Sequence, residues 1–147
     1  FDFHGDKQNG KDDFTKCPNG APGVETRMPI VFSEGVSKGR LSLNEFAAVT
    51  STNPAKIFGM YPKKGVLAPG SDADIVLMNP DMEVTITKNI LHENVDYTPY
   101  EGIQVKGWPV MTMVRGQAVV ENERLQVPLG FGRYINRKPV KYTELLK

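Results

Sequence analysis

Histidine and cysteine, the residues that most often build metal sites and activated nucleophiles, are nearly missing from this chain. There are two histidines, His4 and His92, and one cysteine, Cys17. The histidines lie far apart, and neither forms an HxH or HExxH spacing or a close pair with Cys17. No metal ligand and no complete catalytic constellation is therefore expected within the chain. A lone cysteine excludes an internal disulfide and fits a reducing compartment, so a cytoplasmic location is expected. Charge of one sign is missing too: 18 Lys and Arg against 17 Asp and Glu leave a net +1. No whole-chain field draws nucleic acid or membrane, and neither is expected as a partner. Long apolar runs fall far short of a membrane span, and no signal-peptide pattern opens the chain. There is no P-loop and no GxGxxG. Ser71-Asp72-Ala73-Asp74 begins like a calcium loop but lacks the glycine and the closing glutamate at the right spacing.

What is present suits about one globular domain of 147 residues, 39% hydrophobic, with a mean hydropathy of −0.35. The chain opens at Phe1-Asp2-Phe3-His4 without Met and reads as cut from something longer. Residues 1–20 show no period and read as loop, with Phe1, Phe3 and Phe14 as anchors beneath it. Within Lys11 to Met28, the Pro18-Asn19-Gly20 turn stands directly before an amphipathic run. Proline fixes one φ, and Gly20 and Gly23 permit φ values that other residues avoid. Asn19 can adopt a left-handed conformation and offers its own peptide groups. Such a stretch is either a ligand-facing loop that lets main chain approach a small molecule or an ordinary connection between elements.

Val24, Met28, Val31, Phe32 and Val36 recur at helical spacing, with Pro29 either opening the helix or kinking it and Gly39 stopping it. Ser42 with Glu45 signals a capping box for a second helix. Thr52 or Asn53, followed by Pro54, predicts a fresh cap and a short third helix that buries Ala55, Ile57 and Phe58 and ends at Gly59. Beyond Met60 the pattern becomes β. Strands are expected at Val66–Leu67, Ala73–Met78, Glu83–Thr87, Ile103–Val105, Val110–Val114 and Ala118–Glu121. Asn79-Pro80 ends one strand, Asn94–Gly102 is a long connection, and Arg115-Gly116 is a tight turn. Pro128 to Lys147 reads as an irregular tail with a helical turn at Thr143–Leu146.

A helical part near 20–60 and a β part near 64–125 follow. The helices offer one-sided apolar faces, like the outer layer of a larger domain. The strands suggest half of a small sandwich. Asp12-Asp13 offers two carboxylates, but adjacent residues rarely converge on one point. Cys17 reads as a buried or half-buried thiol, and Trp108 as a packed strand-edge aromatic.

Gly65-Val66-Leu67-Ala68-Pro69-Gly70-Ser71-Asp72-Ala73-Asp74-Ile75-Val76 resembles the segment by which amidohydrolase-superfamily enzymes re-enter their small β-sandwich domain after the barrel. Thr50-Ser51-Thr52-Asn53-Pro54-Ala55-Lys56-Ile57-Phe58 resembles the helix before it. Lys11 to Gly20, Gly23 to Met28, Val95-Asp96-Tyr97, Tyr100-Glu101-Gly102 and Gly132-Arg133-Tyr134-Ile135 are similar to the dihydropyrimidinase/D-hydantoinase branch. The resemblance covers essentially the whole chain.

It implies an α/β chain: the C-terminal part of a metal-dependent TIM-barrel amidohydrolase. Residues 1–60 would be the last part of the barrel, 61–127 a β-sandwich domain, and 128–147 a tail for subunit contacts in a homotetramer. The implied reaction opens the cyclic amide of dihydropyrimidines or 5-substituted hydantoins to N-carbamoyl amino acids. The implied cofactor is zinc, two ions per subunit, bound by histidines, a carboxylated lysine and an aspartate that lie outside this chain. Asn19 alone carries over, as a substrate-binding residue acting largely through its backbone. Cys17, Ala21-Pro22 and Pro29 depart from the family pattern. They leave open the loop shape and hence the preferred ring. The alternatives are a non-catalytic dihydropyrimidinase-related protein, a free-standing β-type binding module, or another cyclic amidase such as allantoinase or dihydroorotase. The last would call for a cation near a substrate carboxylate, and Arg27 is the nearest arginine to the loop.

Overall fold

Two helical runs form where the apolar spacing places them, although both depart from the expected detail. The structure, a computed structural model, describes residues 4–140. Phe1 and Phe3, and the turn expected at Thr143–Leu146, lie outside the described residues. Helix α1 (Arg27–Val31) continues without a break into a π turn over Phe32–Ser37. Pro29 is buried in its first turn, where a missing N–H removes no ladder bond. The helix therefore begins just ahead of the proline and is not broken by it. Val24 lies before the helix and is 81% exposed, so it is not part of the buried stripe. The run ends at Gly39 as expected, and the Gly35 carbonyl accepts the N–H groups of Arg40 (2.8 Å) and Leu41 (3.1 Å).

Helix α2 (Leu43–Ala47) opens with the expected capping box. Glu45 N–H donates to Ser42 Oγ at 3.2 Å, and Ser42 N–H donates to Glu45 Oε2 at 2.8 Å. The fresh cap expected at Thr52 or Asn53 is absent. A π turn (Ala48–Thr52) carries the chain straight into α3 (Asn53–Ile57), with Thr52 and Asn53 both helical. The wider turn accommodates the Pro54 ring. Thr52 Oγ1 instead donates to the Gly65 carbonyl at 2.7 Å. Ala55 is buried, but Ile57 and Phe58 are more than half exposed, because the face carrying Ala55 is the one turned to Gly65.

The sheet is an antiparallel meander in the order β1-β2-β3-β4: β1 (Ile75–Thr85), β2 (Gln104–Val114), β3 (Gln117–Glu121) and β4 (Arg124–Leu125). β1 and β2 each replace two expected strands. Asn79-Pro80 does not end β1. Residues 80–82 bulge between the pairs Asn79–Trp108 and Glu83–Lys106, opposite Gly107. A bulge needs no ladder donor, so Pro80 is accommodated there. Val66–Leu67 forms no strand. Arg115 and Gly116 make the predicted tight turn at φ 52° and 78°. A second such turn, Asn122-Glu123 at φ 48° and 62°, was not anticipated and adds β4.

Helix meets sheet at Gly107. Its φ is +100°, and a Cβ there would lie 2.2 Å from Phe32 Cδ1. Glycine alone lets the Phe32 ring reach the strand. Beside it, Lys106 N–H donates to Ser33 Oγ (3.0 Å) and Ser37 Oγ donates to the Lys106 carbonyl (3.1 Å). Phe32 also meets Phe46 edge to face at 5.3 Å. Ile86, Val105 and Trp108 are buried together, flanked by Ile30, Val84, Leu91 and Tyr100. Trp108 is packed as expected, on a stretch of β2 that pairs with β1 alone, since β3 joins only from Met111 onward.

Ion pairs fasten the periphery. Lys64 pairs with Asp72 (2.9 Å) and Asp74, and Asp74 Oδ1 accepts the Arg115 N–H (2.9 Å). Burial alone would lower the Lys64 pKa, but the two carboxylates outweigh it and raise it. The Arg115 guanidinium lies 4.5 Å from the Phe131 ring centroid and donates to the Phe131 carbonyl. Lys138 N–H donates to the Gly59 carbonyl at 2.9 Å. The tail thus runs back along its own chain, irregular through the described residues.

Candidate functional site: a loop held from both flanks

The loop before α1 is shaped by short local devices. Asp13 caps a 3-10 turn (Phe14–Lys16), accepting from Thr15 N–H (3.1 Å) and Thr15 Oγ1 (2.6 Å). Those bonds hold its carboxyl below the ordinary range, so Asp13 is a turn cap rather than half of an acid/base pair. Cys17 is half-buried, as expected, and its Cβ lies 2.4 Å from where a Gly10 Cβ would stand. Phe14 is 85% exposed and anchors nothing among the described residues.

Pro18-Asn19-Gly20 follows. Gly20 takes φ +91°, and beyond its chain neighbours no atom of the described residues lies within 4 Å of its would-be Cβ. Asn19 is exposed, and no hydrogen bond engages it among the described residues. The carbonyls on either side of it are both engaged. Lys7 Nζ donates to the Gly20 carbonyl at 2.6 Å and to the Pro18 carbonyl.

Opposite charge holds the downstream flank. Glu93 Oε1 accepts the N–H groups of Gly23 (3.0 Å) and Glu25 (3.3 Å). Glu25 returns the arrangement: its Oε2 accepts the His92 N–H at 2.7 Å, and its Oε1 faces His92 Nδ1 at 2.8 Å. His92 Nε2 lies 3.1 Å from the Glu123 carbonyl. Both ring nitrogens therefore face oxygen acceptors, and only the doubly protonated imidazolium donates to both. The Glu25 carboxylate chiefly, with the Glu123 carbonyl, raises the His92 pKa above its ordinary value. A Cβ on Gly23 would stand 3.0 Å from Tyr100 Cε2, and His4 N–H donates to Asp96 Oδ2 at 2.9 Å. Two stretches distant in sequence, 4–26 and 92–100, thus form one unit.

Sequence reasoning singled out Asn19 and not the residues that hold its loop. Lys7 and Glu93 reach their partners across 11 to 13 and 68 to 70 residues. No periodicity or motif marks such contacts. Among the described residues, no group of three His, Cys, Asp or Glu could hold a metal ion, so no donor set here fits one. No helix among them is long and apolar enough to cross a membrane. A separate cavity of about 790 Å³ lies between helices and sheet, bordered by Phe46, Ala55, Met60, Met78, Met113 and Ile135. Asn19 does not line it. The loop presents peptide groups at the surface of this chain, fixed by a cation on its carbonyls and an anion on its N–H groups.

Comparison with known proteins bears on what that surface meets. The amidohydrolase family matches residues 15–119. A D-hydantoinase from Geobacillus stearothermophilus is 47% identical over 146 residues, which is 99% of this chain and 31% of that protein. The crystal structure of dihydropyrimidinase from Brevibacillus agri superposes with a TM-score of 0.93 at 51% identity, covering 96% of this chain and 31% of the other. An L-hydantoinase (dihydropyrimidinase) from Arthrobacter aurescens gives a TM-score of 0.82 at 42% identity over 90% of this chain and 29% of its own. The chain spans about a third of the length of these relatives.

Proposed function

The chain belongs to the amidohydrolase family, and we propose that it forms the C-terminal part of a cyclic amidase of the dihydropyrimidinase/hydantoinase kind. The longer protein would hydrolyse the cyclic amide bond of dihydropyrimidines or 5-substituted hydantoins to N-carbamoyl amino acids. The likeness to D-hydantoinase and dihydropyrimidinase along nearly the whole chain carries this reading, because it includes the Pro18-Asn19-Gly20 loop and the 92–100 stretch that packs on the loop's flank.

Residues 1–60 belong to the last part of a TIM barrel and 61–127 to a β-sandwich domain. The exposed Val76 and Leu125, on one face of the sheet through the row Val76–Thr112–Val120–Leu125, support the second assignment, since a facing sheet would cover them. Residues 128–147 serve subunit contacts in a homotetramer. Leu129 and Tyr134, 94% and 86% exposed, supply apolar surface for that purpose. The metal centre, two zinc ions, would be held by the part of the protein outside this chain and would activate water there. This chain's share is binding. Asn19 and its neighbours present main-chain donors and acceptors to a flat ring whose N–H and C=O groups alternate.

The test is turnover by the intact parent polypeptide. Dihydrouracil and hydantoin should each yield the N-carbamoyl product, and chelation should abolish the activity. A parent without a histidine-rich barrel, or one that leaves both rings uncut with metal supplied, rules the reading out.

A further inference from the structure

We propose that Lys7 is a positioning residue for the substrate: by bonding the carbonyls of Pro18 and Gly20 at once, its ammonium aims the Asn19 N–H at the ring. The inference rests on the loop being the substrate loop. Its basis is the geometry of the peptide plane. The Pro18 carbonyl and the Asn19 N–H belong to one trans peptide, in which they point in opposite directions. A carbonyl drawn toward Lys7 Nζ turns its own N–H away from Lys7. The Gly20 carbonyl, bonded to the same Nζ at 2.6 Å, stops the turn from rotating about Asn19.

Lysine suits the task. It carries three donors on a compact charge and a flexible stem, so one side chain can serve two acceptors. A cation on the carbonyl also polarises the peptide and strengthens the N–H at its other end. Asn19 is left as the residue of the turn with no hydrogen bond among the described residues, while both neighbouring carbonyls are occupied. The downstream anchor differs in kind. Glu93 takes the N–H groups of Gly23 and Glu25, so it fixes the loop's exit and not the Asn19 peptide.

Steady-state kinetics of the full-length protein on dihydrouracil separate the possibilities. Lys7→Met should raise KM by about tenfold or more, the scale of a lost charge-assisted bond, with kcat nearly unchanged and the melting midpoint little moved. Lys7→Arg should recover most of the KM, because a guanidinium can span two carbonyls. Lys7→Gln, with one amide donor group, should fall between, and it serves if the Met variant does not fold. Wild-type KM in Lys7→Met or Lys7→Gln overturns the inference, as does a fall in kcat and melting midpoint with KM unchanged. Asn19→Pro removes the N–H itself. If Asn19→Pro raises KM while Lys7→Met does not, the role of Lys7 fails and the substrate loop stands. If neither moves KM, the loop assignment fails and takes the role of Lys7 with it.

Discussion

The helix–sheet junction and the loop ahead of it solve different problems by different means. At the junction, shape decides: Phe32 lies where a Cβ on Gly107 would be, and Phe46 packs edge-on against the same ring. Two serines finish the contact through the backbone of Lys106. In the loop, little apolar surface is buried. Its conformation is set by Lys7 on carbonyls and Glu93 on N–H groups. A packed junction resists small shifts, because interiors are dense and respond to a single methylene. A loop held by charge on peptide groups leaves the remaining peptide groups exposed, as a binding surface requires. The junction gives the scaffold, and the loop gives the exposed peptide groups.

The largest expected effect tests the first half of that contrast. Gly107→Ala combines a positive φ with a clash against Phe32, and should cost about 2–6 kcal/mol in denaturant unfolding of the full-length protein. A cost below about 1 kcal/mol would mean the junction yields, and that shape does not define it. Glu93→Ala comes next. It strips a charged acceptor from two N–H groups and should cost about 1.5–3 kcal/mol. Hydrogen exchange should quicken at Gly23 and Glu25 while Ile86 and Val105 stay protected. Uniform quickening would merge the two regions into one. Glu93→Gln, which keeps a carbonyl acceptor, should cost less. Ser33→Ala removes only the acceptor for Lys106 N–H, about 1 kcal/mol. A larger loss there would make the junction as dependent on polar contacts as the loop.

The sequence announced features carried by neighbours in the chain. Ser42 and Glu45 made a recognisable capping box, and Arg115-Gly116 a recognisable turn, because in each the partners lie within a few residues. The strand breaks were misread for the opposite reason. Asn79-Pro80 is a breaker by local rules, yet Gly107 across the ladder lets β1 bulge and continue. Thr52-Asn53-Pro54 looked like a cap because its alternative, a π turn with Thr52 bonded to Gly65, depends on a residue 13 positions away. Asn19 stood out by the company of Pro18 and Gly20, whereas Lys7 and Glu93 look like ordinary surface charges until the fold brings them to the loop. Local rules thus identify which peptide groups are unusual, and tertiary contacts decide which way they face.

The smallest predicted effect concerns the outer fastening of the loop. His92 joins three segments through the Glu25 carboxylate, its own backbone N–H and the Glu123 carbonyl. Its pKa is raised in the folded protein, first by the hydrogen bond to Glu25. A raised folded pKa means that the stabilisation is fully present below the ordinary imidazole value, about 6.5, and fades as pH rises through the folded one. The His92 side chain is 62% exposed, so solvent screens the pair and its worth is about 0.2–1 kcal/mol. The stability gap between the natural protein and His92→Gln should therefore be widest below the ordinary imidazole value and close as pH rises through the raised, folded one. Salt should narrow it at the acidic end. A gap that widened with pH would mean that neutral imidazole makes the contact. Only one ring nitrogen could then donate, and either Glu25 or Glu123 would lose its bond. Because Glu93 holds the loop without passing through His92, KM should change little across that range. A KM that followed the His92 titration would show that outer and inner fastenings are one device and not two.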